Sequence, residues 1–335
     1  MKTWRKLLWP FVPFYYLGSL FVKKMYDWNF FKSTSYNFPV ITVGNISAGG
    51  TGKSPFVAYL ISLLKEKQLA TLSRGYGRTT KGFKIVKENS KAHEIGDEPL
   101  QLKLSYPYVN VVVDEDRRNG IEQLKRINEP DVLILDDAFQ HRKVKAGLQI
   151  ILTAYYNLYS NDSSLPVGDL REPKSAAKRA DVIIVTKCPG DLSKEDQLRT
   201  IKQLKPASAQ KVYFTTIAYD SYVYSNETKV LLSEFLKEKF CLVTGIATPK
   251  PLLDFLQNES ANFTHLNYPD HHIFSNEEIN EMTKYDKVLT TQKDYMRLQH
   301  ESTLFSKLFY LPIGVEFLNE EQSFKNCLFS FVGKY

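Results

Sequence analysis

The chain has 335 residues, 43% hydrophobic and 13% aromatic, which is too apolar for disorder and long enough for two packed domains. Its three cysteines, Cys188, Cys241 and Cys327, lie far apart with no Cys-x-x-Cys pair, so they outline neither a disulfide framework nor a zinc site. The formal charge of +7 is concentrated at one end, where six basic residues up to Lys32 face Asp27 alone. The remainder carries only about +2, which argues against a nucleic-acid-binding body.

Between Lys6 and Lys23 run sixteen uncharged residues, Leu7 to Val22, interrupted by Pro10 and Pro13. That is short of the roughly 20 needed to span a bilayer. Basic flanks and the aromatics Trp9, Tyr15, Tyr16 and Trp28 suit a segment lying in a leaflet of anionic lipids, so residues 1–34 are expected to form a membrane-associating helix. Whether it spans or lies in the membrane stays open. A core-packing helix is the competing reading, and a signal peptide is disfavoured because no small-residue cleavage pattern follows.

The apolar run Phe38 to Val43 leads into Gly44-Asn45-Ile46-Ser47-Ala48-Gly49-Gly50-Thr51-Gly52-Lys53-Ser54, and Pro55 to Leu64 has helical apolar spacing. Strand, glycine loop and helix in this order are expected to make a polyphosphate site, with a structural glycine turn as the competing reading. Backbone N–H groups turn inward at the helix N-terminus, Gly49, Gly50 and Gly52 permit close approach, Lys53 serves the outer phosphates, and the Ser54 hydroxyl serves Mg²⁺. Ala48 and Thr51 complete the expected nucleotide loop. The P-loop pattern places glycine where Ser47 stands.

A second strand, Ala70 to Ser73, runs into the basic aromatic turn Arg74-Gly75-Tyr76-Gly77-Arg78, which in an open α/β sheet points toward the ligand crevice. In Gly96-Asp97-Glu98-Pro99 the acidic pair, taken alone, reads as a helix start that suits the macrodipole. A third strand, Val109 to Val113, precedes Asp114-Glu115-Asp116-Arg117-Arg118. A fourth, Val132 to Leu135, ends in Asp136-Asp137-Ala138-Phe139-Gln140-His141, the Walker B arrangement in which a carboxylate meets Mg²⁺ directly or through water. After the strand Leu148 to Leu152, a polar loop carries Leu170-Arg171-Glu172-Pro173, where Arg171 suits transferring phosphate and Glu172 the metal shell, or the two form a surface ion pair.

The strand Asp181 to Val185 ends in Thr186-Lys187-Cys188-Pro189, at the place where GTPases carry a guanine-reading Asn-Lys-x-Asp. Pro189 replaces the base-reading carboxylate, which favours ATP over GTP. From Lys211, Val212 to Tyr219 and Tyr222 to Tyr224 alternate like a β-ribbon, read as a hinge over 211–230. A second, smaller α/β unit over 231–335 has strands Phe240 to Thr244, Lys287 to Thr291 and Leu308 to Leu311, and its end is free to return to the first. The P-loop domain itself is assigned to 35–210, with a largely parallel sheet. In the second unit, Tyr268-Pro269-Asp270-His271-His272 precedes the helix-capping Ser275-Asn276-Glu277-Glu278, and Thr291-Gln292-Lys293-Asp294 forms another strand-end turn.

Taken together, the P-loop with its Ser47, Ser73 to Arg78, Gly96 to Pro99, Asp136 to His141, Leu170 to Pro173, Thr186 to Pro189, Pro269 to His272 and Thr291 to Asp294 resemble the tetraacyldisaccharide 4'-kinase family of lipid A biosynthesis. Members of that family carry a hydroxyl residue where Ser47 stands and a membrane-associating first helix. The resemblance implies transfer of the ATP γ-phosphoryl to the 4'-hydroxyl of a tetraacylated glucosamine disaccharide 1-phosphate. It also implies work at the cytoplasmic face of the inner membrane of a Gram-negative-type cell. The nearly neutral body leaves no expectation of nucleic acid, and the sequence suggests no obligate protein partner. It makes Asp97 the base for the acceptor hydroxyl, coupled to His271, and so implies closure between the two α/β units. Ser54, Asp136, Asp137 and Glu172 bind or orient Mg²⁺. Arg74, Tyr76, Arg117, Gln140, His141 and Arg171 contact acceptor or phosphate, with Arg118 the alternative to Arg117.

Two other classes compete. A dimerising, membrane-sweeping P-loop ATPase carries a lysine before the paired glycines, where this chain has Ala48, and a metal- or cofactor-delivering GTPase is disfavoured by Pro189.

Overall fold

A computed structural model describes residues 3–28, 30–270 and 272–335. The chain divides into two compact units, Met1–Ile217 with Val315–Tyr335, and Ala218–Gly314.

In the first unit, β1 (Val40–Gly44), β2 (Leu69–Ser73), β3 (Lys84–Ile85), β4 (Asn110–Val113), β5 (Val132–Asp136), β6 (Leu148–Ala154), β7 (Val182–Thr186) and β8 (Lys211–Tyr219) share a nine-stranded sheet with Ile313–Phe317. The order is Ile313–Phe317, β8, β7, β6, β1, β5, β2, β4, β3. Neighbours from β8 to β4 run parallel, and β3 caps the edge antiparallel. All five residues of β1 and of β7 are buried, as expected for parallel strands covered on both faces.

Five helices frame the site: α1 (Val12–Asp27), α2 (Lys53–Leu63), α3 (Ala92–Ile95), α4 (Asp97–Ser105) and α5 (Arg117–Ile127). Alternate strand residues serve opposite cores. Ile41, Val43 and Ile134 pack with Phe56 and Leu60 of α2, while Val40, Leu133 and Leu135 pack with Ile121 and Leu124 of α5. The C-terminal helix Glu321–Val332 returns to the α2 side, where Phe324 meets Phe56 at 5.7 Å and Tyr213 at 5.5 Å between ring centroids. Burying each such side chain contributes roughly 1.5–3 kcal/mol, so this last helix is part of the core.

The parallel arrangement brings the carboxyl ends of β1, β2, β4, β5 and β7 to one edge of the sheet, where an open α/β sheet binds its ligand. Val43 lies opposite Asp136 in register, so the glycine loop and the strand-end aspartates leave the sheet side by side.

The N-terminal segment is a 3-10 helix, Thr3–Phe11, followed by α1, in which no residue is buried. Among the described residues no helix is long and apolar enough to cross a membrane. The segment is tied down by polar contacts. The Arg142 guanidinium donates to the Lys23 carbonyl at 3.0 Å and to the Asp27 carboxylate at 2.7 Å, and the Tyr15 hydroxyl donates to the Arg171 carbonyl at 2.9 Å.

In the second unit, β9 (Tyr222–Tyr224), β10 (Lys229–Leu231), β11 (Phe240–Thr244), β12 (Phe263–Asn267), β13 (Val288–Thr291) and β14 (Leu308–Leu311) form a six-stranded sheet ordered β10, β9, β14, β13, β11, β12. The last four of these run parallel, and Phe240 and Leu242 face one core while Cys241 and Val243 face the other. The residues expected to form one ribbon separate here. Lys211–Tyr219 joins the nine-stranded sheet, whereas Tyr222–Tyr224 pairs antiparallel with Lys229–Leu231. Alternation identifies a strand with one covered face but does not identify its partner.

Candidate active site

The glycine loop is held by a hydrogen bond within it and by the neighbouring segment Asp169-Leu170. Gly49 and Gly52 have φ of 113° and 82°, a region closed to most side chains, and Gly52 caps α2 so that Lys53 and Ser54 open the helix. The Asn45 amide donates to the Thr51 hydroxyl at 2.9 Å, and the Ala48 N–H donates to the Asp169 carbonyl at 2.7 Å. Ser47 keeps a negative φ and bridges Leu170 as an antiparallel pair, so glycine is not required where the P-loop pattern places it.

Asp136 ends β5, and Asp137 follows it with φ of 48°, a left-handed turn that aspartate tolerates better than most residues. Asp137 faces Lys53 at 3.4 Å and Arg171 at 3.3 Å. Burial opposes its charge, but the two cations win and hold its carboxyl below the usual range. Asp136 has the opposite balance. Burial, and then the neighbouring Glu98 carboxylate, push it up to about 7 against the pull of Lys53. Its Oδ1 is buried without a hydrogen-bond partner, and Ser54, Ser73, Glu98 and Asp136 line one small cavity.

Gly96 caps α4, whose first turn holds Asp97 and Glu98, so the helix-start reading of that pair is correct for the backbone. A side chain on Gly75 would meet the Ile95 carbonyl at 2.6 Å, and one on Gly96 would meet the Tyr76 carbonyl at 2.9 Å. Only two glycines allow the Arg74 turn and the Asp97 turn to touch. Arg74 and Tyr76 are exposed there, Tyr76 at 82%.

Arg117, not Arg118, faces the acidic centre. It is 3% exposed, and its guanidinium is lowered to about 10 by burial against the supporting charges of Asp136 and Asp137, while Arg118 lies on the surface. His141 accepts the Arg117 N–H at 3.2 Å through Nε2. Burial, reinforced by the Arg117 charge, depresses His141 to about 4, so its 3.8 Å approach to Asp116 joins a neutral ring to a carboxylate. Gln140 donates to the Asn45 carbonyl.

The structure thus assembles Lys53, Ser54, Asp136, Asp137, Arg117, His141, Gln140 and Arg171 around the P-loop, with the Asp97 and Arg74 turns adjoining each other. Glu172 is engaged by Arg179 at 2.9 Å and does not line the Asp136 cavity. His271 lies outside the described residues. Sequence reasoning passed over Glu98 as a site residue, although its place beside Asp97 was a signal. A separate open depression beside β3, lined by Phe83, Lys84 and Glu94, holds none of these groups.

Among the described residues no three His, Cys, Asp or Glu side chains form a ready metal site. That is compatible with Mg²⁺, which commonly takes one or two carboxylates together with substrate phosphates and water. The orphaned Asp136 oxygen beside the Ser54 hydroxyl is the donor pair such an ion needs.

The fold and this site define a P-loop phosphotransferase. The family model described as tetraacyldisaccharide-1-P 4'-kinase (LpxK) matches residues 4–332, and the chain belongs to that family. A tetraacyldisaccharide 4'-kinase of Flavobacterium johnsoniae is 46% identical over 99% of this chain and 98% of its own length. One from Bacteroides thetaiotaomicron is 39% identical over 92% of this chain and 88% of its own. The crystal structure of LpxK from Aquifex aeolicus in complex with ATP superposes with a TM-score of 0.80 at 31% identity, covering 98% of this chain and all of that one.

Proposed function

We propose that the protein transfers the γ-phosphoryl group of ATP to the 4'-hydroxyl of a tetraacylated disaccharide 1-phosphate, the reaction of lipid A biosynthesis for which its relatives are named. The observation that carries the reading is the convergence of Lys53, Arg171, Asp137 and the orphaned Asp136 carboxylate at the mouth of the glycine loop. Phosphoryl transfer needs charge neutralisation and alignment more than covalent help from the protein.

Lys53 holds the outer phosphates, and Asp137 orients both Lys53 and Arg171. Ser54 and Asp136 hold Mg²⁺, which when bound neutralises phosphate charge. Glu172 acts at one remove by fixing Arg179 beside Phe139. Asp97 accepts the proton of the acceptor hydroxyl as the new O–P bond forms and the bond to the β–γ bridging oxygen breaks, releasing ADP. His271 is proposed as the residue that supports Asp97, on the strength of the family resemblance. Arg117, held by the His141 ring, stabilises charge beside the phosphates, and Arg74 and Tyr76 meet the acceptor.

Residues 1–34 are proposed to rest on the cytoplasmic face of the inner membrane. Leu7, Trp9, Phe11, Phe14, Leu17 and Phe21 are between 59% and 81% exposed, and Phe14, Leu17 and Phe21 share one face of α1. Each acyl CH₂ lifted into water costs about 0.8 kcal/mol, so a four-chain acceptor stays in the leaflet and the enzyme meets it there.

The test is purified protein with labelled ATP, Mg²⁺ and the acceptor in vesicles. Label is expected in lipid, and Lys53→Ala is expected to abolish its transfer; label released only as inorganic phosphate would make the protein an ATPase.

A further inference from the structure

The strand-end segment Thr186-Lys187-Cys188-Pro189 has no role among the residues proposed to hold phosphate, metal or acceptor, yet two of its side chains grip the glycine loop. Lys187 follows β7 with φ of 56°, a left-handed conformation that lysine, unlike asparagine or aspartate, has no local side-chain bond to support. The conformation aims its side chain. The Lys187 ammonium donates to the Gly50 carbonyl at 2.7 Å, and the Thr186 hydroxyl donates to the Thr51 carbonyl at 2.8 Å. Thr186, the last residue of β7, and Lys187, which follows it, therefore take two consecutive carbonyls of the glycine loop from outside.

Each held carbonyl shares a rigid peptide plane with the N–H of the next residue, so the contacts fix the planes bearing the Thr51 and Gly52 N–H groups. An anion nest fails when such a plane turns over, because a carbonyl then faces the phosphate. We propose that the end of β7 is a latch for the glycine loop and that Lys187 is a positioning residue for ATP, acting through the Gly50 carbonyl. The proposal rests on the P-loop being the ATP site.

The surroundings of Lys187 agree with this role. Thr186 is buried, and a side chain on Gly52 would meet it at 3.6 Å, so strand end and loop are in contact along their length. Burial, and then the nearby Lys53 ammonium, hold the Lys187 ammonium below the ordinary lysine range. A polyphosphate arriving at Lys53 relieves that repulsion as well.

The decisive variant is Lys187→Gly, because glycine accepts φ of 56° without strain while losing the ammonium. A purely structural lysine predicts an equal or higher thermal midpoint and unchanged ATP binding. The latch predicts the same midpoint behaviour with KM and Kd for ATP raised about tenfold, the acceptor KM unchanged and kcat within about twofold. Lys187→Arg should restore most of the affinity, and Thr186→Val should weaken it in the same sense. If the parent binds ATP, Lys53→Ala does not, and Lys187→Gly binds as tightly as the parent, the latch is refuted while the ATP site stands. If the parent itself binds no ATP, both readings fall together.

Discussion

Arg5 and Asp169 form a guanidinium–carboxylate contact at 2.7 Å, and the Asp169 carbonyl accepts the Ala48 N–H at 2.7 Å. Arg5 also donates to the carbonyls of Pro166 and Gly168. The segment proposed to meet the membrane is therefore two hydrogen-bonded steps from the nucleotide loop. Arg5→Ala should cost about 1 kcal/mol, since the pair is partly exposed, and should raise the KM for ATP modestly. Thermal unfolding and ATP titration read both, and an unchanged KM would show that the loop at Asp169 is set without Arg5.

As the proposed Mg²⁺ ligand, Asp136 makes the metal requirement depend on pH. Its folded pKa of about 7 lies above the ordinary 3.8, so the folded state binds more protons between these values, and stability falls as pH rises across that window. A cation competes with the same proton, so apparent Mg²⁺ affinity should weaken as pH drops below about 7. Asp136→Asn should raise the thermal midpoint at pH 8 without Mg²⁺ and lower kcat by about 10²-fold or more. A midpoint that drops instead would mean that the buried charge is better solvated than its surroundings indicate.

His141 predicts the opposite slope. Its folded pKa of about 4 lies below the ordinary 6.5, so the unfolded chain takes up the proton first. Its contribution is complete above 6.5 and is lost as pH falls toward 4. His141→Gln, which retains an acceptor for the Arg117 N–H, should flatten the loss of midpoint between pH 6.5 and pH 4.5, as scanning calorimetry across that range would show.

Asp97→Asn preserves the shape of the first turn of α4 and removes the proposed base. The kcat for lipid phosphorylation should fall about 10²- to 10⁴-fold with the KM for ATP unaltered. Retention of the parent kcat at saturating acceptor would remove Asp97 from the chemistry. Glu98→Gln is the companion, and it should bring the Asp136 carboxyl back toward its ordinary value, moving the Mg²⁺ requirement to lower pH.

Replacing Phe14, Leu17 and Phe21 together by serine changes only exposed positions of α1. The thermal midpoint should hold while sedimentation with anionic vesicles falls at least about tenfold, since each apolar side chain withdrawn from lipid forfeits on the order of 1 kcal/mol or more. Undiminished sedimentation would place the membrane contact elsewhere.

Much of this architecture is legible in the chain because parallel strands buried on both faces advertise themselves. Val132 to Leu135 and Val182 to Val185 are unbroken apolar runs, and Val40 to Val43 is broken only by Thr42, each ending at the edge of the sheet that carries the candidate site. β3 is two residues long and leaves no period to read, and β12 has the sequence Phe-Thr-His-Leu-Asn, too polar to stand out. The glycine loop and Asp136-Asp137 are legible because few other residue sets hold a polyphosphate. Glu98 acquires its effect on Asp136 only when α4 is laid beside β5. The choice of Arg117 over Arg118 depends on helix phase, which a pair of adjacent arginines does not reveal.

The return of Glu321–Val332 to the α2 side has a consequence for biosynthesis. Translation delivers Phe56 and Tyr213 long before Phe324, and the whole of Ala218–Gly314 leaves the ribosome in between. The nascent nucleotide-binding unit must therefore wait with an unsealed apolar flank until its closing helix emerges, an interval in which chaperones have their opportunity.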